Sequence, residues 1–247
     1  MNIFKRVLGH LYFIYALILF LATMLVALIP ALIALLFSEP QRAKIIHPTY
    51  RIWMSIFLPL VFIRVERKGT HHFKKGKNYV VIVNHNSLMD IPVSMPWIPG
   101  PNKTLAKVEM TKIPLFGVIY RAGSVLVNRK DSLSKQKSAK EMQEVLALGL
   151  HMTLYPEGTR NKSKEPLQNF HNGAFITAIL AKKDIIPGIL FHTKDILPIA
   201  PKLWAWPHKI RFEFLPAIDI SNYDISKKND LKRKAFEMMK NYIIENK

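Results

Sequence analysis

Three kinds of hydrophobic patterning follow one another along the chain. After Lys5 and Arg6 no Asp, Glu, Lys or Arg appears until Glu39, and Leu11 to Phe37 is almost wholly apolar. A hydrocarbon core takes about 20 helical residues to cross, so this stretch is long enough to insert as a helix. A secretory signal has a shorter apolar run and a small-x-small cleavage pattern, and neither is present here. Lys5 and Arg6 precede the segment, while Arg42, Lys44 and Arg51 follow it. The positive-inside bias therefore keeps both ends cytoplasmic. Pro30 lies two-thirds of the way along, where it can kink or break a helix. Together these facts favour a kinked or hairpin segment dipping into one leaflet over a single span. A second apolar run, Ile52 to Ile63, is split by Pro59 and too short to cross alone.

From about Arg64 the pattern becomes an alternation of strands and helices. Tyr79 to Val83 is a β-branched run after the turn-forming Lys74 to Asn78, and it predicts a buried strand. Further strands are expected at Thr104–Lys107, Ser124–Val127, Met152–Tyr155, Ile185–Phe191 and Lys209–Leu215. Helices are expected at Ser132–Leu148, Gly173–Ala181 and Lys227–Glu245. Such alternation implies an α/β fold with helices on both faces of a mixed sheet. The division is a membrane-inserting helical segment over 1–63 and an α/β domain over 64–247.

Composition narrows the function classes. Apolar residues make up 49% and charged residues 21%, enough to bury a core and too apolar for disorder. There is no cysteine, which excludes a disulfide framework, a thiolate zinc site and cysteine nucleophilic chemistry. The net charge of +19 calls for an anionic partner: nucleic acid, an anionic membrane surface or a phosphorylated substrate.

Candidate chemistry begins where the first strong strand ends. Val83 leads into Asn84-His85-Asn86-Ser87-Leu88-Met89-Asp90. In open α/β sheets, ligands and catalytic groups gather beyond the carboxyl ends of strands. Asn and Ser favour a turn into a helix, one turn of which would bring Asp90 beneath the imidazole of His85. A carboxylate on one ring nitrogen fixes the tautomer and leaves the other nitrogen as a base. A capping or purely structural His–Asp pair would look the same. The second block, Tyr155-Pro156-Glu157-Gly158-Thr159-Arg160, also follows a strand. Its glycine permits close backbone approach, and Arg160 offers a planar fork for phosphate. Lys107 and Arg129 each end a strand, where solvated surface charge is the plainer reading.

Taken together, these blocks resemble the glycerophospholipid acyltransferases, the bacterial 1-acyl-sn-glycerol-3-phosphate acyltransferases in particular. The resemblance rests on Asn84-His85 through Asp90, a Gly123 to Arg129 block, Glu157-Gly158-Thr159-Arg160, and an Ile186-Pro187 segment, in that order over about Val65 to Ile220. It implies transfer of an acyl chain from an acyl thioester to the 2-hydroxyl of lysophosphatidic acid. His85 is then the general base and Asp90 its orienting carboxylate. Lys107, Arg129, Glu157, Gly158, Thr159 and Arg160 bind substrate. Acyl-carrier protein or coenzyme A delivers the acyl group, with no cofactor or metal. The expected setting is the cytoplasmic face of the inner membrane, among anionic lipids. Asn128, His171-Asn172, Gly188 and the Trp- and Pro-rich Lys202–His208 depart from the family pattern and bear on headgroup and acyl preference. The alternative is a related acyltransferase acting on a lyso-ornithine lipid or another lysophospholipid. Nucleic-acid binding explains the charge, but neither the apolar N-terminus nor Glu-Gly-Thr-Arg. The histidines lack a ligand spacing such as His-Glu-x-x-His. Trp204 and Trp206 fit either headgroup depth or the core.

Overall fold

A computed structural model describes residues 2–246. The apolar N-terminus is one helix, α1 (Ile3–Ala34), capped by the Asn2 side chain on the Phe4 amide at 3.1 Å. It passes through Pro30 without a break, correcting the expectation of an interruption there. The chain reverses instead after Ala34, where Arg42 Nε satisfies the Phe37 carbonyl at 3.0 Å. It returns as α2 (Gln41–Leu60), of which the apolar run from Ile52 is only the second half. The two helices are antiparallel: Tyr12 OH donates to Val61 O at 2.5 Å, and Trp53 Nε1 to Thr23 Oγ1 at 2.9 Å. Ala27, Ala31 and Ala34 are buried along the seam. These small side chains let the helices approach around the proline, so packing offsets its missing backbone hydrogen bond. The opposite side of α1 exposes Leu11, Ile18, Leu25 and Ile29.

Then follow β1 (Val65–Lys68), β2 (Val80–Val83), α3 (Asp90–Trp97), β3 (Asn102–Lys107), α4 (Phe116–Gly123), β4 (Ser124–Val127) and α5 (Ser132–Ala147). The chain continues through β5 (His151–Leu154), α6 (Gly173–Ala181), β6 (Ile185–Phe191), α7 (Thr193–Ile196), β7 (Ile210–Phe214) and α8 (Lys228–Asn246). β1 and α4 were not anticipated, and both are too short to set up a clear period. The sheet has seven strands in the order β1-β7-β6-β2-β5-β3-β4. It is mixed: β6 and β7 are antiparallel, and every other neighbouring pair is parallel.

Strand alternation divides the core into two layers. Val80 and Ile82 of β2 face the layer formed with α5, α6 and α8. Val81 and Val83 face the layer that contains α1 and α2. The helical hairpin is thus the cover of one sheet face. Its turn is tied down by charge: Lys103 of β3, 1% exposed, places Nζ 2.6 Å from Glu39 Oε1. Trp204 fastens the other end. Its indole lies so close to Gly9 that an added Cβ would sit 1.8 Å from Nε1, and only glycine fits there. Trp204 is 8% exposed and belongs to the core; its neighbour Trp206 stacks beside it, beneath Lys5.

Two interior histidines make the fold sensitive to acid. His47 Nε2 donates to Ile98 O at 3.1 Å, and His151 Nε2 to Pro99 O at 3.0 Å. His151 Nδ1 also accepts the Tyr79 amide at 3.1 Å, so protonation would set two donors against each other. Burial lowers both from 6.5 to about 4. Between those values the unfolded chain takes up protons that the folded chain refuses, so stability falls as pH drops. Glu157 opposes this with one group, since burial raises its carboxyl from 4.5 to about 7. The two buried histidines, with the more exposed His72 lowered in the same direction, outweigh the one carboxyl, so stability falls from pH 6.5 towards 4.5. Urea midpoints measured across that range should fall steadily, and His151→Asn should remove most of the slope.

Candidate active site

Five parallel strands, β6, β2, β5, β3 and β4, present their carboxyl ends to one edge of the sheet. His85 leaves that edge two residues beyond β2. Asn84, buried behind it, donates Nδ2–H to Leu190 O at 3.0 Å and accepts the Leu190 amide at 2.7 Å, pinning the loop to β6. Asp90 is the first residue of α3, so the loop from His85 to Met89 lies outside the helix and curls around the Asp90 carboxylate. Its Oδ2 accepts from the amides of Asn86 at 2.6 Å and Ser87 at 2.8 Å, and meets His85 Nδ1 at 2.7 Å. The expected helical turn beneath the imidazole is therefore a hydrogen-bonded loop. A carboxylate on Nδ1 keeps the ring proton on that nitrogen and leaves Nε2 as the acceptor. Nε2 makes no hydrogen bond among the described residues, and the side chain is 15% exposed.

The loop after β5 supports the same histidine. Tyr155 lies against the imidazole with ring centroids 4.5 Å apart, and its hydroxyl is 2.6 Å from Ser94 Oγ on α3. Burial and the nearby Asp90 charge hold this phenol well above its ordinary range, so it stays neutral. Glu157, 2% exposed, spends both oxygens on main chain: Oε1 accepts the His85 amide at 2.7 Å, and Oε2 the Gln168 amide at 2.9 Å. The Asn161 amide returns the link, donating to His85 O at 2.6 Å. His85 is thus held through its side chain, its amide and its carbonyl.

The remaining sequence candidates are unequally placed. Arg129, half-buried after β4, donates Nη1–H to the Gly158 carbonyl, and burial lowers its pKa. Gly158 holds a left-handed φ of +72° beside His171, so only glycine adopts this turn without strain. Arg160 is half-buried and Lys107 exposed at the end of β3; neither forms an ion pair among the described residues. Thr159 is exposed, with Oγ1 3.5 Å from Gln168 Oε1. Ser94, Asn161 and Gln168 went unmarked in the sequence, and Tyr155, which heads the second block, was given no role. Only the position of Tyr155 at a strand end could have pointed to it.

Beside the loop runs an apolar cavity of about 520 Å³. Leu88 and Met89 from the His85 loop line it, facing Phe20, Trp53 and Phe57 of the hairpin and Phe116 of α4. No ionisable side chain except tyrosine contributes to its wall. Elsewhere, His192, Asp195 and His208 bring possible ligand atoms within 4.8 Å of one another on the surface. Sequence spacing did not suggest this group, because its third member, His208, comes from the loop that leads into β7. The expectation that the histidines lack a ligand spacing covered the whole chain, and the fold brings these three side chains together just past β6, at the same carboxyl edge as His85.

Comparison with known proteins follows the same lines. A family model described as Acyltransferase matches residues 64–190. The mouse 1-acyl-sn-glycerol-3-phosphate acyltransferase alpha is 31% identical over 160 residues, covering 63% of this chain and 55% of that protein. A Helicobacter pylori 1-acyl-sn-glycerol-3-phosphate acyltransferase is 30% identical over 148 residues, 60% of this chain and 61% of that one. The match spans about half the length of the mammalian relatives. The crystal structure of a 1-acyl-sn-glycerophosphate acyltransferase from Thermotoga maritima superposes with a TM-score of 0.79 at 21% identity, over 99% of this chain and 97% of that one. That likeness shows the fold, hairpin included.

The hydrogen-bond pattern around Glu157 makes a prediction about the loop. Glu157→Ala should strand the His85 and Gln168 amides in the interior and cost about 1–3 kcal/mol. A lowered thermal midpoint, measured with circular dichroism, checks it.

Proposed function

The chain belongs to the acyltransferase family, and from that premise we propose that it moves an acyl chain from an acyl thioester to the 2-hydroxyl of 1-acyl-glycerol-3-phosphate, giving phosphatidic acid. The observation that carries the reading is the 2.7 Å contact between His85 Nδ1 and Asp90, with Nε2 left free at the sheet edge. An alcohol is a weak nucleophile, and its proton must leave as it attacks. Nε2 is suited to take that proton, and Asp90 to stabilise the imidazolium that forms. A thioester is already activated, so the hydroxyl attacks its carbonyl directly and the thiol departs with the proton. No enzyme nucleophile is needed, in keeping with a chain that has no cysteine.

The other residues fit this reaction by position. Arg160 and Lys107, without carboxylate partners, suit the phosphate of the acceptor, and Arg129 supports the Gly158 turn between them. Holding the phosphate turns remote binding energy into placement of the hydroxyl near Nε2. The cavity beside Leu88 and Met89 offers an apolar berth for an acyl chain next to the reacting groups. The exposed apolar face of α1 supports attachment to a membrane, with both ends of the hairpin and the His85 edge on the cytoplasmic side of the inner membrane. The donor, acyl-carrier protein or coenzyme A, is anionic in either case and matches the basic surface.

Purified protein in neutral detergent tests the proposal with lysophosphatidic acid and a thioester donor. His85→Ala should lower kcat by about 10²–10⁴ while the thermal midpoint holds. Full activity in a folded His85→Ala protein would overturn the assignment. Arg160→Ala should raise KM for lysophosphatidic acid about tenfold or more, the effect of losing a charge-assisted hydrogen bond. Faster turnover of acceptors lacking a phosphate would instead favour a lyso-ornithine or similar lipid.

A further inference from the structure

At the opposite edge of the sheet a second cavity, of about 600 Å³, is lined by Arg51, Val65, Arg67, Thr70, Pro99 and Gly100. Strand directions set it apart from His85. β1 runs parallel to β7 and therefore antiparallel to β2, so Thr70, just past β1, lies at the amino edge. Gly100, just before β3, lies at the same edge.

Its two guanidinium groups have no counter-ion. Among the described residues neither Arg51 nor Arg67 has a carboxylate within 4.0 Å, whereas Glu66 on the same strand pairs with Lys68 and Lys209. Arg51 is half-buried and anchored: Nε donates to Pro96 O at 3.0 Å and Nη2 to Ile98 O at 3.5 Å. The rest of its fork remains free. Arg67 stacks on the Trp97 ring, 4.9 Å from its centroid, and its side chain makes no hydrogen bond among the described residues. Burial and the charge of Arg67 both weigh against the protonated form of Arg51. Two cations set against one another around an open cavity are stabilised by an anion between them. Planar forks suit the oxygens of a phosphate group, and the Thr70 hydroxyl can add a hydrogen bond.

The position of Arg51 says where such an anion comes from. It immediately precedes Ile52, Ile56 and Leu60, an exposed apolar stripe on α2 at helical spacing. At Leu60 that stripe comes beside the exposed Tyr15 of α1, whose hydroxyl donates to Leu60 O at 2.8 Å, and the proposed function sets the apolar side of α1 against lipid. We propose that Arg51 and Arg67 form a second phosphate-binding site, which takes the headgroup of an anionic phospholipid whose chains lie along the Ile52–Ile56–Leu60 stripe. The site is separate from the acceptor site assigned to Arg160 and does not depend on it.

Titration calorimetry on the full chain in neutral maltoside micelles tests this, in an Arg160→Ala background that weakens the other phosphate site. Two probes separate the sources: dihexanoyl phosphatidylglycerol, and inorganic phosphate alone. A lipid headgroup site predicts that the phosphatidylglycerol binds, and that Arg67→Gln weakens it about tenfold. Arg67 is exposed, so this variant should fold as the parent does; adding Arg51→Gln should weaken binding further. Binding of inorganic phosphate with the same dependence on Arg67, and none of the lipid, would retain the phosphate site and overturn its lipid source. Binding of either probe that is indifferent to Arg51 and Arg67, or no binding by the parent, would overturn the site.

Discussion

A carboxylate taken out of water needs hydrogen-bond donors, and the Asp90 side chain is wholly buried, with every donor it has gathered on one of its two oxygens. Its Oδ2 gathers the amides of Asn86 and Ser87 and the Nδ1 of His85. That requirement shapes the loop. Two consecutive amides can reach one oxygen only if the backbone wraps around it, and the wrapped backbone leaves the imidazole nowhere else to point. Orientation of His85 and solvation of Asp90 are one set of hydrogen bonds. The neighbouring loop closes the arrangement, with Glu157 taking the His85 amide and Asn161 giving its own to the His85 carbonyl. Two segments more than sixty residues apart become a single rigid unit because β2 and β5 are adjacent.

The same adjacency accounts for the rest of the edge. Parallel strands return the chain to the same side after each crossover helix, so Lys107, Arg129 and the Glu157 loop all emerge beside His85. The face opposite α5, α6 and α8 is closed by the N-terminal hairpin, which therefore does two jobs. It completes a core and contributes Phe20, Trp53 and Phe57 to the wall of the cavity beside the His85 loop. An exposed apolar surface and a wall of the cavity share one element, and the two faces of α1 divide the work: Ala27 and Ala31 inward, Leu25 and Ile29 outward.

Much of this was legible in the sequence, for identifiable reasons. Buried parallel strands such as Val80–Val83 are continuous β-branched runs, and their ends mark where chemistry gathers. His85 and Asp90 stood out because they are close in the chain. The division of labour inside Glu-Gly-Thr-Arg did not, since nothing local tells a carboxylate that binds substrate from one that holds backbone amides. Glu157 falls into the second group by its contacts. The reversal after Ala34 was also hidden. Pro30 is a strong local signal for a break, yet alanines on α1 packed against α2 override it, and that packing joins residues thirty apart. Arg51 and Arg67 were invisible for the same reason: they meet only through the fold.

The ion pair between Lys103 and Glu39 gives the hairpin a property that an apolar appendage usually lacks. A membrane anchor is commonly treated as a detachable module, exchangeable between proteins so long as it is greasy enough. Here the turn between the helices carries the counter-charge of a lysine sealed inside β3. A chimera with a foreign hairpin would leave that ammonium bare in the interior, a penalty of several kcal/mol that no amount of lipid affinity offsets. The hairpin and the sheet are therefore keyed to each other, and any transplant must carry both halves of the key.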